Sequence, residues 1–298
     1  MNRRTFLGST AAFAATTLFP FPLSARDGKR GYKLGLQLFS VNEDMNRDPL
    51  ATLREVKAMG YEDFEVYGFD PARGTFYGRP ATEFRMMLDD LGLSASSGHF
   101  GFSPLLEAGE PDMDRFVDQC IAGAETLGLR YITWPWMAPE QRTLDTFRAL
   151  PAKLNAIGAR VKEAGLGFAY HNHGFEFEDH GGDTGYDLIL RETDPDLVKL
   201  QMDMYWVMHG GRTTPKALVA AHPGRFVMWH IKDMDKVSRD YTELGNGSID
   251  YRKVLPDPVA SGLEFYYLEQ GGNFTHSPLR SAADSAEYFQ RHLRKRIG

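Results

Sequence analysis

Eight times along this 298-residue chain a short apolar run gives way to an amphipathic stretch, and that alternation leaves few folds open. The strand candidates are 33–41, 63–67, 93–100, 131–136, 167–173, 198–205, 226–232 and 264–269, most of them short and carrying β-branched or aromatic residues. Helical patterns lie between them. Asp48-Pro49 opens one that carries Leu50, Leu53, Val56 and Met59; Pro80 leads into Phe84, Met87, Leu88 and Leu91. Pro111 precedes Phe116, Ile121 and Leu127, and the stretch 143–165 carries Leu144, Phe147, Leu154, Ile157 and Val161. Further helices are expected near 186–191, 215–221, 249–255 and 285–293. Gly60, Gly92, Gly128 and Gly165 each end a helix just before a strand, as a left-handed terminal residue does. Alternation of this kind makes strands parallel, and eight units in about 270 residues point to an α/β fold of the (β/α)8 barrel type. An open doubly wound sheet is the rival, but no Gly-x-Gly-x-x-Gly follows the first strand.

The first thirty residues read as an address. Arg3-Arg4 is followed by Phe6-Leu7, an Ala/Thr-rich apolar run over 9–19, Pro20, Pro22 and the small-residue exit Leu23-Ser24-Ala25. This resembles a twin-arginine (Tat) export signal, which implies a periplasmic protein. The apolar run is shorter than the roughly 20 residues of a membrane span, and no other long apolar segment follows, so no stable membrane association is expected. Residues 1–30 are assigned to signal and linker, and 31–298 to one barrel domain. The net charge of −6 disfavours a nucleic-acid partner, which needs a Lys/Arg-rich face. A lone cysteine, Cys120, excludes an intramolecular disulfide and any Cys-based metal site.

Barrel enzymes keep their chemistry at the carboxyl ends of the strands, and here those ends are polar. In strand order they carry Gln37, Glu65, His99, Trp134-Pro135-Trp136, His171-Asn172-His173, Asp203 with Tyr205, His230-Ile231-Lys232-Asp233, and Glu269-Gln270. Residues i and i+2 share a strand face, so His171 points with His173, and His230 with Lys232. If these pairs face the mouth of the barrel, they meet Asp203 and Glu269 there. One or two imidazoles with two or three carboxylates suit Mn²⁺, Co²⁺ or Zn²⁺ with positions left for substrate. Trp134 and Trp136 read equally as core packing or as a wall for a sugar ring. His180, His209, His222, His276 and His292 are expected at surface or loop positions.

These segments are similar to the sugar phosphate isomerase/epimerase superfamily, the xylose-isomerase-like TIM barrels, over about residues 33–269. The markers are Leu34-Gly35-Leu36-Gln37-Leu38-Phe39-Ser40-Val41, Tyr170-His171-Asn172-His173-Gly174-Phe175-Glu176-Phe177, Gln201-Met202-Asp203-Met204-Tyr205-Trp206, His230-Ile231-Lys232-Asp233-Met234-Asp235, Glu243-Leu244-Gly245-Asn246-Gly247-Ser248-Ile249-Asp250 and Tyr267-Leu268-Glu269-Gln270. The resemblance implies a metal held by Asp203, His230 and Glu269. The family's fourth ligand is a glutamate on the fifth strand, where this chain has His171. Either His171 takes that role or Glu176 reaches in from the following loop; a third carboxylate better balances the metal's charge, and spacing leaves both open. The implied chemistry is proton abstraction next to a carbonyl. Glu269 or Glu176 acts as base, His173 and Lys232 hydrogen-bond the oxygens, and Gln37, Glu65, His99, Trp134, Trp136 and Tyr205 are candidate substrate contacts. Export argues for an unphosphorylated keto-sugar. The expected activity is isomerase or epimerase; a lyase or dehydratase acting on a keto-sugar or 3-keto-glycoside, and a non-catalytic sugar-binding barrel, are the alternatives. A repair nuclease on the same barrel, similar to endonuclease IV, is disfavoured by the acidic charge. The resemblance also implies a homo-oligomer, with no interface legible in the residues.

Overall fold

The computed structural model describes residues 31–298; the expected export signal at 1–30 lies outside the described residues. Eight parallel strands close on themselves: β1 (Gly35–Gln37), β2 (Asp63–Val66), β3 (Ser94–His99), β4 (Tyr131–Trp134), β5 (Gly167–His171), β6 (Lys199–Asp203), β7 (Met228–Ile231) and β8 (Phe265–Leu268). Each pairs with its sequence neighbour, and β8 returns to β1 with Gly35 opposite Tyr267. The alternation therefore builds a (β/α)8 barrel and not an open sheet. Closure leaves no room for a side chain at Gly35: a Cβ there would lie 2.2 Å from the Tyr266 carbonyl oxygen.

The helices of seven or more residues outside the barrel are α1 (Pro49–Ala58), α2 (Ala81–Asp90), α3 (Glu110–Leu127), α4 (Leu144–Glu163), α5 (Gly185–Glu192), α6 (Met204–Gly210), α7 (Pro215–Ala221) and α8 (Pro278–His292). Their start signals are local. Asp48 Oδ1 accepts the Ala51 N–H at 3.0 Å to begin α1, and Thr143 Oγ1 accepts that of Thr146 at 3.2 Å to begin α4. Gly128 closes α3 at φ 74°, a left-handed turn that would strain any residue with a Cβ. The main apolar core fills the layer between strands and helices. A second cluster of Tyr131, Ala169, Val227, Met228 and Tyr267 fills the barrel itself, so the interior is packed, as barrels of this kind are.

Several segments differ from the sequence reading; the expected strand 198–205, for one, ends at Asp203, whose side chain caps the helix Met204–Gly210. The first strand stops at Gln37, because that side chain accepts the Phe39 N–H and turns the chain into the 3-10 helix Leu38–Val41. The expected helix at 249–255 resolves into two short turns, Tyr251–Val254 and Pro258–Ser261, separated at Pro256. Residues 69–80, for which periodicity gave no element, form a small antiparallel sheet of Phe69–Asp70, Thr75–Phe76 and Arg79–Pro80 beside the mouth. Among the described residues no helix is long and apolar enough to cross a membrane.

Candidate active site

Register places the polar residues in one layer at the carboxyl end. Gln37 pairs with Glu65, His171 with Gln201, and Asp203 with His230. Between Phe64 and Glu65 the β2–β3 register shifts, so Glu65 faces Ser97 rather than Ser96. An irregularity of this kind re-aims a side chain next to a site, and here it brings the Ser97 hydroxyl to Glu65 Oε1 at 2.6 Å.

Glu65 is fully buried and is the hub of the layer's floor. Its carboxylate accepts from Gln37 Nε2 (2.7 Å), Gln201 Nε2 (2.6 Å) and His230 Nε2 (2.5 Å), and His99 Nε2 lies 3.0 Å away. Burial alone would raise its pKa; His99 and His230 outweigh burial and hold it well below the usual carboxylate range. His230 is held on both sides, because its Nδ1 also meets Glu269 Oε2 at 2.5 Å. With a carboxylate at each nitrogen the ring is an imidazolium. Burial opposes that charge, yet Glu269 and Glu65 raise the pKa to about 9.

Gln201 fixes the next ring. Its Oε1 accepts from His171 Nδ1 at 2.9 Å and from His99 Nε2 at 2.7 Å, while its own NH₂ donates to Glu65. The proton of His171 is thereby placed on Nδ1, which leaves the Nε2 lone pair 3.7 Å from Asp203 Oδ2. Burial, then the nearby His230, His173, His99 and Lys232, hold His171 well below its ordinary pKa, so the ring is neutral. Lys232 completes the group. Its Nζ lies 2.7 Å from Asp203 Oδ2 and 2.7 Å from Glu269 Oε2, with the Tyr241 ring 5.6 Å away. The two carboxylates raise its pKa against the effect of burial, so the ammonium stays charged.

A strap after β7 sets that lysine. The Asp233 carboxylate accepts the N–H groups of Met234 (2.8 Å), Gly245 (2.9 Å), Gly247 (3.2 Å) and Ile249 (3.1 Å). The segment from Met234 to Ile249 therefore folds around one side chain, and Tyr251 donates its hydroxyl proton to the Lys232 carbonyl. Gly247 passes so close that a Cβ would lie 2.1 Å from Asp233 Oδ1.

Asp203, His230 and Glu269 each present a ligand atom within 4.8 Å of the others, and His99, His171 and His230 do the same. The donor set fits a divalent cation. Asp203 and Glu269 supply carboxylate oxygens, His230 offers a ring nitrogen that a divalent cation would take in place of a proton, and His171 Nε2 adds a neutral donor. The Lys232 ammonium sits on the same two carboxylates, so a cation held there would share them with the lysine.

Other expected site residues lie elsewhere. Glu176 is fully buried, and its carboxylate is taken by the Tyr170 hydroxyl (2.8 Å) and the His173 N–H (2.8 Å). It belongs to neither ligand group and instead orients His173. Burial raises its pKa to about 8. Trp134 is buried and stacked on Phe102 (centroids 5.0 Å, 12° between planes), whereas Trp136 stands half-exposed at the mouth. Tyr205 donates to the Arg239 carbonyl at 2.8 Å and packs on Tyr241, which brings it no closer than the wall behind the site. Above the floor is a cavity of about 430 Å³ lined by His99, His171, His173, Lys232 and Glu269, with Phe39, Tyr67, Trp136 and Tyr241 around the mouth. Gln37 and Glu65 are buried within the floor and do not line the cavity. The roles not anticipated from the sequence are those of Gln201, Tyr170, Tyr241 and Asp233. Gln201 was accessible to the two-residue strand period from Asp203; the other three act from loops or through contacts that periodicity does not encode.

Comparison with known proteins agrees with this architecture. The model of the xylose isomerase-like TIM barrel family matches residues 53–257. Two crystal structures of sugar phosphate isomerase/epimerases from Parabacteroides distasonis superpose with TM-scores of 0.76 and 0.75. They are 25% and 26% identical to this chain, cover 93% and 89% of it, and are themselves covered over 99% of their length. IolI, solved with a bound zinc atom, shares the fold at TM-score 0.68 and 14% identity, over 88% of this chain and 98% of its own. A search of curated proteins by sequence finds no match. With the family model spanning most of the barrel and the fold and site layer in place, the chain belongs to the xylose isomerase-like TIM barrel family.

Proposed function

We propose that this chain is a divalent-metal-dependent isomerase or epimerase that acts on an unphosphorylated keto-sugar by moving a proton next to its carbonyl. The coarser part, a sugar isomerase or epimerase type of enzyme, is supported by the family and by the two Parabacteroides neighbours. Asp203, His230 and Glu269, with His171 Nε2, are the residues that would hold the metal, which supplies Lewis-acid polarisation of a sugar oxygen when bound. Mn²⁺, Co²⁺ and Zn²⁺ suit this mixed nitrogen and oxygen set.

The chain's own groups do the rest. Glu269 lines the cavity as a carboxylate, since Lys232 and His230 outweigh burial and hold it ionised. It is placed to take a proton from a substrate carbon in that cavity. Lys232 Nζ donates hydrogen bonds toward the oxygen on which negative charge develops. His173 lines the same cavity from just beyond β5, so a proton returned from that side reaches the other face of the carbon. Gln201 keeps the His171 ring in one tautomer, and Phe39, Tyr67, Trp136 and Tyr241 surround the mouth. Lys232 is the one Lys or Arg lining this cavity among the described residues, and it is already tied to two carboxylates. A phosphate clamp needs free Arg or Lys donors, so the lining favours an unphosphorylated sugar. The twin-arginine pattern at Arg3-Arg4 carries the reading that the enzyme works in the periplasm.

The observation that carries the proposal is the convergence of Asp203, His230, Glu269 and Lys232 beneath a sugar-sized cavity. Glu269→Gln tests it. The expected result is a kcat on free ketoses lower by about 10²–10⁴-fold, with ketose affinity within a few-fold of wild type. Unchanged turnover in this variant sinks the assignment.

A further inference from the structure

Beside the catalytic cavity lies a second chamber of about 610 Å³, larger than the first. The two share Trp136, His173 and Tyr241 as their partition and open at the same end of the barrel. Each falls in the range of about 300–1,000 Å³ typical of small-molecule sites, so one monosaccharide leaves the second chamber unused. Nothing in the proposed chemistry employs it.

Its walls are built for a ring with polar edges. Trp206, from α6, forms one side, and Phe175 and Phe177, from the turn after β5, form the other. Two glycines let these rings pack directly against the backbone. A Cβ on Gly174 would lie 2.9 Å from the Trp206 ring, and one on Gly210 would lie 3.1 Å from Phe177. Arg142 sits over the Phe175 ring at 4.0 Å and is anchored by two bonds to the Met137 carbonyl. Glu178 adds an acceptor at the edge. Aromatic faces with an arginine and a carboxylate at the rim match a pyranose, which has apolar C–H faces and a belt of hydroxyls. Two ring nitrogens on this wall, His173 Nδ1 and Trp206 Nε1, are buried with no hydrogen-bond partner among the described residues. Buried polar atoms are rarely left so unless a ligand or water serves them. His173 lies on the partition itself, where the oxygen joining two rings would pass.

We propose that the second chamber is a subsite for an unphosphorylated glycosyl ring, so that the substrate is a two-ring sugar whose keto-sugar half occupies the catalytic cavity. This rests on the keto-sugar reading of the first cavity and adds the substituent that the substrate carries. Trp206 takes one face of the second ring, and Arg142, itself seated on Phe175, and Glu178 take its hydroxyls. His173 meets the bridging oxygen.

The test is calorimetric titration of the metal-loaded, full-length protein with the glycosyl-ketoses isomaltulose, turanose and lactulose, each against D-fructose. At least one two-ring sugar is expected to bind about tenfold or more tighter than fructose. Trp206→Leu, which keeps an apolar side chain there, and Glu178→Gln, at a more exposed position, are each expected to shrink that gain while fructose affinity holds. Thermal unfolding of both variants checks that they fold. The proposal is overturned if no glycosyl-ketose gains over fructose, or if the gain survives both substitutions. Metal-dependent deuterium exchange into fructose is measured in parallel. Exchange without a two-ring gain overturns the subsite and leaves the isomerase reading intact; a two-ring gain without exchange does the reverse.

Discussion

Lys232 shows how much depends on one residue. Its ammonium, nearly buried at the base of the cavity, bridges Asp203 and Glu269 at 2.7 Å each. Removing one partner of a buried ion pair costs about 3–5 kcal/mol, because the remaining charges lose their compensation. Lys232→Met is therefore expected to lower the melting temperature of the metal-free protein, and Mn²⁺ is expected to restore more of it in the variant than it adds to wild type. Equal Mn²⁺ shifts in a melting experiment would show that lysine and metal do not share oxygens. Glu176 gives a second residue-scale expectation. Its pKa is about 8 in the fold, raised by burial above its usual 4.5, so the native state binds the extra proton. Stability from this group is greatest below the unfolded pKa, declines as pH rises from about 4.5 to 8, and is flat above. Glu176→Gln, which still accepts from His173 N–H and can donate to Tyr170, is expected to remove a decline of ~2–4 kcal/mol over that window. Denaturant titrations at pH 5 and pH 8 check it; an unchanged slope would mean that Glu176 is not the titrating group.

At the scale of elements, strands supply the chemistry and one strap holds it in place. Asp233 gathers four N–H groups of the segment that runs from Met234 to Ile249, and that segment presents Tyr241 to Lys232. Asp233→Ala leaves those donors without an acceptor. Its expected signature is faster hydrogen exchange at the Gly245, Gly247 and Ile249 amides together with a rise in KM larger than the fall in kcat, since the strap lies beside the mouth rather than on the reacting atoms. Protection equal to wild type would show that the strap is held by other contacts. The same contrast explains what was legible in the sequence. Strand residues such as His171, Asp203, His230 and Glu269 are found by their two-residue period and their place at the strand end. Glu176 is five residues beyond His171 on a turn, and no period tells that its carboxylate folds back to Tyr170 and the His173 N–H. Tyr241, Arg142 and Trp206 reach their places through loops and helix packing, so although Trp136 and His173 were named from the sequence, nothing in the residue pattern showed that they border a second chamber.

For the whole molecule, the eight-fold alternation and the glycine stops specify the barrel. The irregular parts, the 69–80 sheet and the strap after β7, depend on antiparallel contacts that an α/β pattern does not announce. Those parts rim the mouth, so the substrate was the least legible feature and the catalytic floor the most. The central claim, that this floor moves a proton next to a carbonyl with the help of a divalent cation, is tested most directly by proton NMR in D₂O. Purified protein would be incubated with D-fructose, D-tagatose and isomaltulose, with Mn²⁺ and again with chelator. The account predicts deuterium incorporation at the carbon next to the carbonyl and a rearranged sugar in at least one of them, dependent on Mn²⁺ and absent in Glu269→Gln. Exchange that persists undiminished in chelator or in Glu269→Gln, or its absence from every sugar with metal bound, would contradict it.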